Sequence, residues 1–212
     1  MSHTVQQQDH APAPTGGPEL TYLVEEAQAG NRAAFEQLMG HFQKDVFRMV
    51  YYRTRSSMDA EDLTQEVFMQ AYKKISSLKE VDRFRSWLFQ IALNRTRDFN
   101  RKRRFRNLFG TFGDTRETAE TPARASDQPE AIDNLMARDF WKQIELFLNK
   151  LSRMEKEVFL LRFMDHLSIK EISQALAKSE STVKTHLYRS VSKFKAEHSM
   201  HQWLQEGAHE HE

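Results

Sequence analysis

From Leu20 onward the apolar positions recur at three- and four-residue spacing, in two blocks separated by a polar stretch. In the first block Leu20, Leu23, Val24 and Ala27 share a helix face, Gly30 ends that turn, and Asn31 is placed to cap a segment holding Phe35, Leu38 and Met39. A further run carries Phe42, Val46, Phe47 and Val50. Next, Leu63, Val67, Ala71 and Ile75 repeat at four-residue spacing behind Asp59, which the pattern makes the N-cap, with Glu61 and Asp62 in the first turn. Trp87, Leu88, Ile91, Ala92 and Phe99 form the stripe of another helix. The expected product is a helical domain over 19–106.

The second block opens with Leu135, Phe140, Ile144, Phe147, Leu148 and Leu151 on one face. Ser152-x-x-Glu155 is a capping box ahead of Val158, Phe159, Leu161 and Phe163, and Ser168-x-x-Glu171 repeats it ahead of Ile169, Ile172, Ala175 and Leu176. A turn over 177–179 leads into a helix with Val183, Leu187, Val191 and Phe194 inward. Two caps, a short helix, a tight turn and a polar helix describe a helix-turn-helix over 131–200. The fold class is therefore all-α, two small domains. Residues 1–18 carry Pro and Gly without periodicity and read as a disordered arm; 107–130 read as a linker and 201–212 as a tail.

Composition narrows the chemistry. The 212 residues hold 31 Lys and Arg against 30 Asp and Glu, so any nucleic-acid signal lies in the distribution of charge and not its sum. No cysteine is present, which excludes disulfides and thiolate metal sites. No apolar run reaches the roughly 18 to 20 residues of a membrane span and no signal-peptide core opens the chain, so a cytoplasmic protein without membrane insertion is expected. The terminal His198, His201, His209 and His211 match no closed metal site, and packing or solvation accounts for them. No phosphate-cradling loop, nucleophile elbow or metal-ligand spacing occurs, so neither catalytic residues nor a cofactor are expected.

Charge is sharply arranged within the first block. Beside the stripe of Leu63 and Val67 lie Asp62, Gln65, Glu66 and Met69, acceptors around one exposed hydrophobe. A solvated face or a protein-binding face both produce this pattern. Further on, Arg95, Arg97, Arg101, Lys102, Arg103 and Arg104 gather with only Asp98 to offset them. Such a run repels itself unless an anion covers it, and phosphate is the natural cover; a fraying basic helix end is the plainer account. In the second block, Glu180, Ser181, Thr182, Lys184, Thr185, His186 and Arg189 form the outward face of the last helix, suited to base edges and phosphates.

DAEDLTQEVFMQAY, followed by a short break and FRSWLFQIALN, resembles region 2 of bacterial RNA polymerase sigma factors of the extracytoplasmic-function (ECF) group. SIKEISQALAKSESTVKTHLYRS resembles sigma region 4, which reads the minus-35 element. Regions 1.1 and 3 have no counterpart here. The resemblance covers about 20–195 and implies a stress-response type of transcription factor that binds core RNA polymerase and promoter DNA. It implies that Asp62, Gln65 and Glu66, with Met69 beside them, meet the clamp helices of the largest polymerase subunit. It also implies that the loop over 76–85, with Arg83 and Arg85, and Asn94 handle a flipped minus-10 base. Trp87 would support opening, or lie in the core, and the basic run would follow phosphate. ECF factors are typically held by an anti-sigma protein, so such a partner is expected. Family members commonly have Gly where Ala177 and Ser181 stand and a basic residue at His186; the fold is expected to survive both changes. A helix-turn-helix regulator that never joins polymerase is the alternative, though it needs no acidic-to-basic arrangement.

Overall fold

The computed structural model describes residues 17–109 and 142–197. All regular structure among them is helical, as expected. The expectations placed on the arm over 1–16, on 110–141 and on the histidine-bearing tail lie outside the described residues.

Pro18 fixes the φ needed at a helix start and opens α1 (Pro18–Gln28), which buries Leu20, Leu23, Val24 and Ala27. Gly30, at φ 95°, makes the left-handed turn that lets α2 begin. Asn31 caps α2 (Arg32–Thr54), its side chain accepting from the amides of Ala33 and Ala34 at 3.1 and 3.3 Å. The two apolar runs read after Asn31 form this one 23-residue helix, since Leu38, Phe42, Val46, Met49 and Val50 stay on one fully buried face. Ser56 caps α3 (Ser57–Lys74), accepting from the Asp59 amide at 3.2 Å. Asp59, expected as the cap, instead sits in the first turn, where its charge still favours the helix N-terminus.

Short 3₁₀ turns at Ile75–Ser77 and Val81–Arg83 join α3 to α4 (Phe84–Phe109). The Gln28 side chain holds the first of these turns, donating to the carbonyls of Ile75 at 3.0 Å and Leu78 at 2.6 Å. Buried Phe84, Leu88, Phe89, Ala92 and Leu93 seat α4 against α2 and α3. This helix continues to Phe109, beyond the Arg106 at which the sequence pattern fades.

The second block begins with α5 (142–150), whose Ile144, Phe147 and Leu148 are buried. Ser152 and Glu155 form the expected capping box of α6 (Arg153–Phe159). A π-helical turn over Leu160–Met164 follows and leaves Phe163 exposed, whereas the sequence pattern grouped it with the apolar set. The second capping box, Ser168 with Glu171, opens α7 (Ile169–Leu176). Ser179 caps α8 (Glu180–Lys195) by accepting from the Thr182 amide at 3.2 Å. Phe147, Phe159 and Phe194 interlock, with two edge-on pairs at 5.2 Å between ring centres.

The two blocks are docked on each other. Val158, Leu161, Leu167, Ile172, Ala175, Leu176 and Val183 join the apolar cluster built by α1 to α4, and α7 lies along α4. Patterning marks each residue as apolar and inward, but does not say inward against which partner.

Between α7 and α8 the chain turns at Ala177, which is left-handed at φ 51° and ψ 49°. A Cβ in that region costs about 1 to 2 kcal/mol. Ala177→Gly is expected to raise the unfolding free energy by roughly 0.5 to 1 kcal/mol once the extra freedom of glycine in the unfolded chain is subtracted. Urea denaturation of the two chains measures this; equal or lower stability of the glycine variant would show the turn to be unstrained.

Candidate functional site

Four surfaces carry the residues singled out by the sequence, and each is set by the helix it stands on. On α3, packing of Leu63, Val67 and Ala71 into the core turns Asp62, Gln65, Glu66 and Met69 to solvent. Met69 is 59% exposed, and Met58 and Tyr72 extend the patch of hydrophobes on the same helix. A solvated face does not need three exposed large side chains among its acids.

The α4 run is less uniform than its composition. Arg95 donates to the Gln70 side chain at 2.8 Å and lies 3.9 Å from Glu66, so the start of the basic track touches the acidic face. Arg97 is half-buried and 3.8 Å from Glu157. Arg101 pairs with Asp98 at 3.0 Å, one turn back, while Arg103 reaches the Thr54 carbonyl at the end of α2 at 3.4 Å. Lys102 and Arg104 project into solvent, as does Asn94. Phe105, not anticipated by the sequence reading, stands 61% exposed among Arg101, Lys102 and Arg106. In a periodic pattern an aromatic counts as core, which hid it.

The 3₁₀ loop and the first turn of α4 border a cleft of about 430 Å³, lined among others by Arg83, Ser86, Trp87, Gln90, Gln174 and Ala177. Trp87 is neither fully buried nor free: it packs at 5.9 Å on Phe84 and borders the cleft with its remaining surface. Arg83 is exposed and paired with Glu80 at 2.7 Å. Arg85, grouped by resemblance with the DNA-contacting loop, is 6% exposed. Its guanidinium donates to Glu171 at 2.9 Å and to the Asp165 carbonyl at 3.1 Å, and its charge lies over the Phe89 ring. In this arrangement Arg85 cannot reach DNA, because its side chain is buried and its two terminal nitrogens are engaged by the second block.

A second arginine makes the same kind of bridge. Arg53, near the end of α2, is buried between Glu157 at 2.8 Å and Asp165 at 3.1 Å. Burial would lower its proton affinity, but the two carboxylates outweigh this and leave it raised. For Glu171, burial opposes ionisation, yet the Ser168 amide and hydroxyl and the Arg85 guanidinium prevail and hold the carboxyl below its ordinary value. Ser86 completes the contact by donating to Gln174 at 2.6 Å. None of these cross-domain pairs was foreseen, since polar residues more than 80 positions apart leave no periodic signal.

On α8, Glu180, Ser181, Lys184, Thr185 and Arg189 are exposed and Thr182 is half-exposed. The Ser181 and Thr182 hydroxyls hydrogen bond with Ser179, and Thr185 donates to the Ser181 carbonyl at 2.9 Å, so the first turns are rigid before any ligand arrives. Lys184 lies 3.8 Å from Glu180. His186 departs from the outward placement expected of it: it is half-buried, with a buried Nδ1 that has no hydrogen-bond partner. Tyr188 takes the open position instead, 77% exposed beside Arg189, and sequence periodicity had not singled it out.

Two stretches match family models. Residues 38–106 match Sigma-70 region 2, and residues 141–194 match Sigma-70, region 4. The chain is 34% identical over 171 residues to the ECF RNA polymerase sigma factor BldN of Streptomyces coelicolor, covering 80% of this chain and 62% of that protein. It is 27% identical to the ECF sigma factor SigW of Bacillus subtilis, covering 78% of this chain and 89% of that one. Its fold resembles that of CnrH, solved in complex with the cytosolic domain of CnrY, with TM-score 0.61, 24% identity and coverage of 84% and 96%. It also resembles the sigma factor RpoE of Bartonella quintana, solved with the anti-sigma factor NepR, with TM-score 0.55, 22% identity and coverage of 76% and 94%. The chain belongs to the sigma-70 family of RNA polymerase sigma factors, in its ECF group. It is thus a sigma factor and not a free-standing helix-turn-helix regulator, and the family is not one of enzymes. No helix among the described residues is long and apolar enough to cross a membrane.

Helix α8 is clamped to its domain by Lys193, which donates to Glu155 at 2.7 Å. That bond, with the Ser152 amide next, holds the Glu155 carboxyl at about 2 against an ordinary 4.5. A depressed carboxylate stabilises the fold above its unfolded pKa and loses that contribution as pH falls through the folded one. Stability tied to α8 is therefore expected to decline between about pH 4.5 and 2, and Glu155→Gln to flatten that decline. Fluorescence-monitored urea titrations across this window check it; parallel pH profiles for the two chains would remove Glu155 from the acid response.

Proposed function

We propose that this chain joins core RNA polymerase through Asp62, Gln65, Glu66 and Met69 and then directs initiation at promoters with separate minus-10 and minus-35 elements. The observation that carries the reading is the exposed α3 face, in which acids surround large hydrophobes on a helix rigidly seated in the core. A polymerase surface supplying cations around an apolar patch complements it. Met58 and Tyr72 extend that contact.

For the minus-10 element, Arg83, Trp87 and Asn94 meet the displaced strand at the cleft, and Arg85 joins them when freed from Glu171. The strand backbone follows Arg95, Arg97, Arg101, Lys102, Arg103 and Arg104, while Phe105 offers a ring on which a base can stack. For minus-35, α8 enters the major groove with Glu180, Ser181, Thr182 and Thr185 toward bases and Lys184 and Arg189 toward phosphates. Tyr188 adds an apolar contact, and His186 acts from the edge of the helix as support.

The working units are 19–106 for polymerase and minus-10 DNA and 131–200 for minus-35 DNA, joined by a linker over 107–130. The arm over 1–18 and the tail over 201–212 have no assigned part. The chain acts in the cytoplasm without catalytic chemistry, metal or cofactor of its own; polymerase makes the bonds. The sigma factors solved in complex with CnrY and with the anti-sigma factor NepR support an anti-sigma protein as a further partner.

Charge reversal at both Asp62 and Glu66 is expected to weaken polymerase binding at least tenfold, about 1.4 kcal/mol, without loss of helicity. Pull-down of core polymerase with matched circular dichroism measures it, and undiminished capture by a folded variant would return α3 to solvent. Alanine at Arg101, Lys102 and Arg103 together is expected to lower the slope of log affinity against log salt by about 2. Holoenzyme titrations on promoter DNA at several salt concentrations read that slope, and no change would release these residues from phosphate contact.

A further inference from the structure

Resting on the reading of α3 as the polymerase-binding face, we infer that Met58 and Met69 form a reversible oxidation site, at which a peroxide converts the free chain to a form that binds core polymerase weakly. The chain has no cysteine, so its 9 methionines hold all of its sulfur and thioether oxidation is the sulfur redox chemistry open to it. Among the described methionines these two stand furthest into solvent, Met58 at 72% and Met69 at 59% exposure. Met49 is fully buried, Met154 and Met164 pack against the apolar clusters, and Met39 is less open.

The helix period puts both sulfurs in one stripe. At 3.6 residues per turn, positions 58, 62, 65, 69 and 72 advance by four and three along a single face of α3, so Met58, Asp62, Gln65, Met69 and Tyr72 stand in a row, all exposed. The two methionines are about 16 Å apart along the helix axis, with Asp62, Gln65 and Glu66 between them. The thioethers therefore bracket the acids of the polymerase contact. Those carboxylates repel an anionic oxidant but not a neutral one, which makes a hydroperoxide the fitting class.

In this step the sulfur lone pair attacks the terminal oxygen of the peroxide. An S–O bond forms, the O–O bond breaks, and the departing oxygen takes the hydroxyl proton and leaves as water or an alcohol. Sulfur loses two electrons and the peroxide gains them. The product sulfoxide is a polar acceptor in a stripe where Asp62 and Glu66 already accept. A partner surface that covers thioethers must then bury that dipole without a donor, which costs affinity. Once polymerase covers the stripe, peroxide cannot enter, so it is the free chain that is oxidised.

Treating the full chain with hydrogen peroxide, quenching with catalase and mapping peptides by mass spectrometry is expected to show sulfoxide at Met58 and Met69 before Met49, Met154 or Met164. Titration with core polymerase is expected to show roughly tenfold weaker binding after treatment, restored by methionine sulfoxide reductases and a dithiol. Prior addition of polymerase is expected to protect both residues. Each chain is scored against its own untreated form, and in Met58→Leu with Met69→Leu the loss is expected to vanish. Reversal by the reductases tests the same point on the native chain, without any substitution. Both methionines staying reduced while Met49 oxidises, equal binding after full conversion, or the same loss in the leucine chain overturns the switch. Failure of the untreated chain to bind polymerase sinks the reading of α3 and the switch with it, whereas binding that survives full conversion overturns the switch alone.

Discussion

Two buried arginines set the relation between the halves of this protein. A guanidinium withdrawn from water must find carboxylates or carbonyls with the right geometry, and neither Arg53 nor Arg85 finds enough of them within region 2. Their partners are Glu157, Asp165 and Glu171, all in region 4. Once those bonds are made, the apolar faces of α4 and α7 have one register in which to meet, and Leu167, Ile172 and Leu176 extend the region 2 core. The apolar area supplies the attraction and the charges supply the address.

The individual helices were legible in the sequence because their signals are local. Both capping boxes, the Asn31 cap and the stripe of Leu63, Val67 and Ala71 need only a few neighbouring residues to be understood. The Asp59 cap was misplaced for a related reason: Ser56 and Asp59 are both good helix-start residues, and only the backbone shows that Ser56 accepts from the Asp59 amide. The contacts between halves were illegible because Arg53 reads as surface charge until something distant buries it. Tyr188 and Phe105 failed in the opposite direction, being apolar by type and solvent-facing by position. Of the candidate site, the acidic face and the polar side of α8 could be read from charge and period, whereas the engagement of Arg85 could not.

The same residue types do different work according to which helix face holds them. Arg101 and Arg103 keep bonds to Asp98 and to the end of α2, so the basic track is partly ordered by its own fold, while Lys102 and Arg104 are exposed. In region 4, Ser179, Ser181 and Thr182 spend their hydroxyls on the helix start, which costs them freedom that would otherwise be lost on binding.

Consider finally the length of α4. Its 26 residues make a rod of about 39 Å. One end bears Ser86 and Arg85 under the weight of region 4, the middle is gripped by α2 and α3, and the far end carries Arg101 to Arg106 into solvent. The buried residues Phe84, Leu88, Phe89, Ala92 and Leu93 all lie in the first half of the rod, so α4 is a cantilever: one half is built into the core and the other holds its cations out from it.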